Sequence, residues 1–428
     1  MKPARWHQLL ALNAYWLGLS FMWNGLHVII LPAVLLHYVP EHLKNTALGL
    51  LTFTGLVIAM LVQPISGALS DRWVSRWGRR RPLILFGTLG DFIFLAVLGW
   101  AGGLFWLAVG YIGLQVTSNL AHGSVQGLMP DQIPPEQLGA GSGIKNLIDM
   151  LGMVISSLFL GRLLDPEVAR PSLPVAVIIT LLAAVAAVTL LGVREKAALR
   201  LAPPADAAPK PPPAAGLPVA RSPLIPRGPL SPYARLIIAR FAFLLGVYGI
   251  QTFAQYYVRD VLKAADPPKL TGDLLAAIAI SLIVFALLGG WLGDRVGHIR
   301  MHYVAGSITT IGSLLLLFAH TPLTLLIFGS VFGMGVGLFL TANWALASLL
   351  APTDQAGKYL GLTNLATAGS GAAGRLLGPL LDLANNARPG ANLGYTGLFL
   401  FSAVCSLASI YLIRRVNHTS VKKPAEGF

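Results

Sequence analysis

Twelve apolar runs of roughly 20 residues, the length that crosses a hydrocarbon core as helix, recur along the chain. They centre near Phe21, Val57, Phe94, Ile112, Met150, Leu182, Gly246, Val284, Ser313, Phe332, Thr367 and Cys405. Polar positions return inside three of these runs at spacings of three, four and seven, which share one side of a helix, and a fourth, span ten, is poorer in them. Span one carries Asn13, Ser20, Asn24 and His27; span four carries Gln115, Asn119, His122 and Gln126; span seven carries Tyr248, Gln251 and Gln255; span ten carries Thr341, Asn343 and Trp344. A polar side chain at membrane depth is costly unless it meets a partner or water. Repeated stripes therefore predict a wet cavity, while any one Asn or Gln can equally join neighbouring helices.

Composition agrees with this setting. Of 428 residues, 55% are hydrophobic and 11% charged, and mean hydropathy is +0.69, which excludes an ordinary soluble domain. The apolar start from Leu9 to Leu36 is too long for a signal-peptide core and reads as the first span. Net charge is +14, but its placement argues against nucleic acid. With both termini inside and spans alternating, 21 of the 31 lysines and arginines fall on the inner side. This is the positive-inside pattern, with basic loops facing anionic lipid. The single cysteine, Cys405, rules out an internal disulfide.

One loop occurs twice. Gly67-Ala-Leu-Ser70-Asp71-Arg72-Trp-Val-Ser75-Arg76-Trp77-Gly78-Arg79-Arg80-Arg81-Pro82 is echoed by Gly290-Trp-Leu-Gly293-Asp294-Arg295-Val-Gly297-His298-Ile-Arg300, each between apolar runs. Gly143-Ile-Lys145-Asn146-Leu147 is matched by Gly361-Leu-Thr-Asn364-Leu365, and Gly161-Arg162-Leu-Leu by Gly374-Arg375-Leu-Leu. Between Val193 and Tyr233 lie eleven prolines among Ala, Gly and basic residues, a flexible or polyproline-like linker. The predicted division is a six-helix half over 1–193, a cytoplasmic linker over 194–233, a second six-helix half over 234–416 and a cytoplasmic tail over 417–428. Duplicated halves flanking a substrate site are a recurrent transporter design.

On these motifs the chain resembles a major facilitator superfamily transporter over essentially its whole length. The Ser70-to-Pro82 loop is similar to that of the proton-coupled sucrose symporters and their glycoside-cation relatives, as is span seven from Arg240 to Tyr248, Gln251, Tyr257, Arg259 and Asp260. The resemblance implies an all-α fold of twelve transmembrane helices in two pseudo-symmetric halves, with spans one, four, seven and ten around a central cavity. It implies that Asp71 faces the N-terminus of span eleven near Gly357, and that Arg79 or Arg80 pairs with Asp131 at the end of span four. Gly78 would permit the turn that aims those arginines. Asp71, Arg72, Gly78, Arg79, Arg80 and Asp131 would form a gate, with Asp294 and Arg295 as a weaker second copy; the competing account makes them topology signals and headgroup contacts. Plant-type sucrose symporters place an acid in span four, whereas Leu104 to Met129 contains none.

Amides, hydroxyls and aromatics predominate in the stripes, a set that suits vicinal hydroxyls and the apolar face of a sugar ring. Asn24, Gln115, Asn119, His122, Tyr248, Gln251, Gln255, Asn343 and Trp344 are the candidate substrate residues. Lys145 and Asp149, four apart in span five, can face one another, with Asp149 the first candidate for carrying a proton or else a static ion-pair partner. His27 is a second titratable candidate, and Asp91 in span three suits a structural role. Arg240 and Arg375 could hold a substrate oxygen or snorkel toward headgroups. Glycines at 333, 335, 337, 369, 371 and 374 suit close helix packing or bending rather than a phosphate loop. No nucleotide motif, Cys/His metal cluster or nucleophile turn is present, so neither a cofactor nor an enzyme is expected. The expected function is alternating-access symport of a small polar solute, a sugar or glycoside, with a proton, by a monomer in a cell (inner) membrane. A proton-coupled exporter of amphipathic compounds and a non-transporting membrane sensor are the alternatives.

Overall fold

The computed structural model describes residues 4–165, 167–193, 195, 231–351 and 356–414, with nothing given for the side chains of 135 and 356–358. The expected tail, and the expected linker apart from residues 195 and 231–233, lie outside them. The described residues form an all-helical protein. Its helices are α1 (Trp6–Leu35), α2 (Lys44–Arg72), α3 (Arg81–Trp100), α4 (Leu104–Gln132), α5 (Leu138–Leu163), α6 (Ser172–Gly192), α7 (Pro232–Asp260), α8 (Pro267–Val296), α9 (His298–Leu316), α10 (Pro322–Leu350), α11 (Ala356–Arg375), α12 (Gly378–Ala387) and α13 (Leu393–Arg414).

Helix starts follow local chemistry. Three helices of the second half open with a capping side chain followed by proline, whose missing N–H costs nothing at that position. Ser231 accepts from the Ala234 N–H, Asp266 from Lys269 and Thr321 from Thr324. Among the described residues, ten helices are long and apolar enough to cross a membrane. The expected twelve spans are therefore not all met by that measure: α9 opens with His298, Arg300 and His302, and α11 is rich in Gly, Ala and Thr and is broken from α12 after Arg375. Large apolar side chains such as Leu61, Ile65, Leu191 and Leu287 point outward, as lipid-facing helices require.

The long helices alternate in direction, with α12 continuing onward from α11 past the break, which gives the bundle two ends. One carries residue 4 with Gln137, loop 73–80 with Asp131, and Tyr233 with Tyr359; it is called here the terminal end. The other, distal end is where the first and second halves of the chain meet most closely. There Lys44 pairs with Asp260 at 2.5 Å, Arg162 with Asp273 at 2.6 Å and Arg259 with Glu41 at 3.0 Å. Asp382 of α12 accepts from the Asn45 amide and backbone N–H and, at 2.7 Å, from the Thr46 N–H, capping α2 across the interface. Small residues allow this approach: Gly49 lies against the Arg375 carbonyl and Gly272 against that of Ser157. Hydrogen bonds and ion pairs between the two halves, among the described residues, all lie in the distal half of the bundle, so the space between the halves closes there.

Candidate functional site

A cavity of about 560 Å³ lies between the halves, lined by α1, α2, α4, α5, α7 and α11. This is within the usual range for small-molecule sites. Its first-half wall is an ordered polar surface. His27 stacks on Trp23 at a centroid distance of 5.1 Å and shares a 2.8 Å hydrogen bond with the Tyr111 hydroxyl. The Gln115 amide donates to that hydroxyl at 2.7 Å, and Asn119 donates to Gln115. Further along, His122 lies edge-on to Trp16 at 4.9 Å, and the Lys145 ammonium sits 3.8 Å over the Trp16 ring while reaching Asp149 at 3.4 Å. The opposite wall adds Tyr248, Gln251, Asn364, Thr367 and Arg375.

The backbone of α1 is locally widened at this wall into a π-turn, Gly25–Ile30, a feature that often marks functional positions. Its loosened carbonyls are answered from α7: the Gln255 amide, oriented to satisfy both, donates to Val28 and Ile29 at 2.8 and 2.9 Å. A second, apolar cavity of about 420 Å³ opens from the same place toward α8, α10 and α13, sharing Asn24, Asp149, Met153, Tyr248 and Gln251 with the first.

The terminal end carries a separate ion cluster. Arg80, only 6% exposed, reaches Asp71 at 2.5 Å, Asp131 at 2.9 Å and the Ser70 hydroxyl. Arg79 forks onto both oxygens of Asp131 at 2.6 and 3.2 Å, and this bonding raises its guanidinium pKa above the usual value. Glu195, just past α6, accepts from the backbone N–H groups of Arg80 and Arg81, a carboxylate at the positive start of α3. Burial pushes its carboxyl pKa up despite those donors. Gly78 makes the turn at φ +98° with Glu195 directly against it.

The family model for the Major Facilitator Superfamily matches residues 14–375 and, in a second alignment, 268–427. The chain belongs to that superfamily. A multidrug-resistance efflux pump, PmrA, of Streptococcus pneumoniae is 24% identical over 392 residues, covering 85% of this chain and 89% of that one. The minor myo-inositol transporter IolF of Bacillus subtilis is 30% identical over 127 residues, 30% of this chain and 28% of the relative. In structure, the fold is similar to that of a bacterial homolog of the human lysosomal transporter Spinster in an inward-facing, unoccupied conformation. The TM-score is 0.73 at 14% identity, over 99% of this chain and 100% of that one. The protein is thus an integral membrane transporter of the facilitator fold, and not an enzyme.

In this facilitator, Asn24, Gln115, Asn119, His122, Tyr248 and Gln251 line the central cavity together with His27 and Asp149. Three expected substrate residues stand off it. Gln255 is buried and spent on the π-turn, Asn343 is buried and accepts from Arg240 at 2.8 Å, and Trp344 points outward. Asp91 is buried and accepts from Thr117, a packing contact between α3 and α4. Arg72 is exposed. Asp71 is turned to Arg80, and the side-chain surroundings of Gly357 lie outside the described residues. Asp294 is exposed, with His298 at 3.4 Å as its ion-pair partner among the described residues, and Arg295 lies over the Trp291 ring at 4.0 Å. Sequence reasoning missed Trp16 and Trp23, although both fall on the stripe of Ser20 and His27 at helical spacing. It also missed Gln63, the sole amide in its apolar run, and Glu195, which no local pattern marks.

Proposed function

We propose that the central cavity binds a small hydroxylated solute of the sugar type and that the halves carry it across the membrane by alternating access. The observation that carries this reading is the wall itself: Gln115, Asn119 and Gln251 offer donors and acceptors together, beside the Trp16, Trp23 and Tyr248 rings. Amides of this kind suit vicinal hydroxyls, and indoles suit the apolar face of a pyranose. The two six-helix halves, over 1–193 and 234–416, would rock about this site. The distal contacts hold one side shut here, and the cluster of Asp71, Arg79, Arg80 and Asp131 would regulate the other, which positive-inside charge makes cytoplasmic. Partial similarity to inositol transporters supports the substrate class.

Proton coupling belongs to Asp149, which faces the cavity with Lys145 as its only ion-pair partner among the described residues. Substrate and proton would then meet within one space.

A second reading has its own support. The apolar side cavity joins the polar one at Asn24 and Tyr248, a shape that suits amphipathic cargo, and one relative matched over most of its length is an efflux pump. Uptake of labelled mono- and disaccharides into proteoliposomes, with and without an inward proton gradient, separates the two. Gradient-dependent accumulation of a sugar establishes symport; no saturable sugar flux, with outward-driven movement of a hydrophobic dye, establishes export.

A further inference from the structure

The repeated Gly-Arg-Leu-Leu segments place two arginines in matching positions, and the structure gives them different partners. Arg162 of α5 donates through Nη1 to the Leu158 carbonyl, one turn back, at 2.8 Å, and Arg375 of α11 donates through Nη1 to the Gly371 carbonyl, also one turn back, at 2.8 Å. Beyond that they diverge. Arg162 Nη2 continues across the halves to Asp273 at 2.6 Å. The offset that places Gly67 on Gly290 also places Gly49 on Gly272, and it puts Leu50 where Asp273 stands in the other half. The carboxylate that neutralises Arg162 is therefore missing from the matching position beside Arg375.

Nothing else supplies it. Among the described residues no carboxylate lies within 4.0 Å of Arg375 or of Arg240. Arg240 is held by neutral groups, Thr367 at 2.9 Å and Asn343 at 2.8 Å. Arg375 lines the cavity, its Nε is buried without a hydrogen-bond partner, and its Nη2 donates to no acceptor among the described residues. The cavity and its margin thus carry three cations, Lys145, Arg240 and Arg375, against one acid, Asp149. An unpaired guanidinium at membrane depth is costly and marks a substrate pathway more often than a packing device.

We propose that Arg375 binds an anionic oxygen group on the transported solute, so that the substrate class is a hydroxylated carboxylic acid, a sugar acid, in preference to a neutral sugar. The inference rests on the hydroxylated-solute reading above and narrows it. Nη2 has no acceptor among the described residues, and with the buried, unpartnered Nε turned toward the cavity it would give a carboxylate the two parallel hydrogen bonds that a guanidinium offers. The carboxylate takes the place that Asp273 occupies at Arg162, and the hydroxyls turn to the amides of Gln115, Asn119 and Gln251. With Asp149 ionised, a bound monoanion lowers the net charge of the cavity and its margin from +2 to +1.

The test is binding of glucuronate and of glucose to the purified full chain in nanodiscs by calorimetry, repeated with Arg375→Gln and Arg375→Lys. Glucuronate is expected to bind at least tenfold more tightly than glucose, with Arg375→Gln removing the difference and Arg375→Lys keeping part of it. Equal affinity for the two compounds in the unaltered protein, or glucose binding alone, overturns the inference and leaves the hydroxylated-solute reading standing. Binding of neither, with a rhodamine dye bound in the same preparation, overturns both. The comparison within the unaltered protein decides the substrate class even where a variant does not fold, and a glucuronate preference that persists in a folded Arg375→Gln overturns the assignment to Arg375.

Discussion

The two copies of the duplicated loop have similar letters and different physics. In the first, Arg80 is buried among Asp71, Asp131 and Ser70, Arg79 doubles the grip on Asp131, and Glu195 caps the helix that follows. In the second, Asp294 and Arg295 are exposed, and the contacts they keep are a 3.4 Å approach to His298 and a ring contact with Trp291. Duplication preserved the turn, since Gly78 and Gly297 share a φ of +98° and +97°, but only one copy kept the charges that the turn can aim. In the second loop His298 follows the glycine directly, where the first loop continues Arg79-Arg80-Arg81. A gate built on this end is asymmetric, carried by the first half.

Breaking that asymmetry at its centre has the largest expected effect. Arg80→Ala leaves Asp131 and Asp71 without their shared cation in a partly buried site, a loss of about 3 kcal/mol for a broken ion pair of this kind. Arg295→Ala removes an exposed cation–π contact and costs under about 1 kcal/mol. Thermal unfolding of the two variants in one detergent should give a clearly lower midpoint for Arg80→Ala and one near that of the unaltered protein for Arg295→Ala. Equal midpoints would erase the distinction between the copies. Transport should follow: if the cluster holds one state closed, Arg80→Ala changes exchange rate with little change in substrate affinity.

This comparison also shows what the sequence could reveal. Helix positions were legible because apolar runs of fixed length have few structural solutions, whereas the superfamily and the Arg79/Arg80 link to Asp131 were legible through the resemblance that the duplicated charged loop carries. The polar stripes pointed to the cavity, and six of nine proposed substrate residues lie on its wall. Gln255 misled because periodicity gives a helix face but not depth along it, and its amide was needed by the π-turn, which no pattern in Gly25–Ile30 announces. Asn343 misled because its partner, Arg240, comes from another helix. Glu195 was hidden for the same reason: it is a single acid just beyond a helix end, and only folding brings it to the start of α3.

The paired glycines sharpen the comparison at the next level. Alanine at either position must adopt a left-handed backbone, costing about 1–2 kcal/mol. At Gly297 nothing lies within 4 Å of the added carbon, whereas at Gly78 it meets the Glu195 side chain. The two positions share their φ, so an extra loss in Gly78→Ala is expected from the Glu195 contact. Midpoints lowered equally in both would mean that Glu195 yields without cost.

The smallest effect is a pH slope. Because burial raises the Glu195 carboxyl above its unfolded value, the folded protein holds a proton there that the unfolded chain has released. The contribution of this group to stability is therefore fully present below its unfolded pKa, about 4.3, and falls as pH rises through the folded value. The N–H groups of Arg80 and Arg81 oppose the shift by favouring the carboxylate, and this keeps the slope shallow. Glu195→Gln keeps an acceptor oxygen for those donors and removes the proton, so its unfolding midpoint, measured from pH 4.5 upward, should lose that part of the decline while Asp294→Asn follows the unaltered protein. A slope the same in all three would place Glu195 in solvent rather than against α3, and the first loop would lose the contact that ties it to the chain leaving the first half.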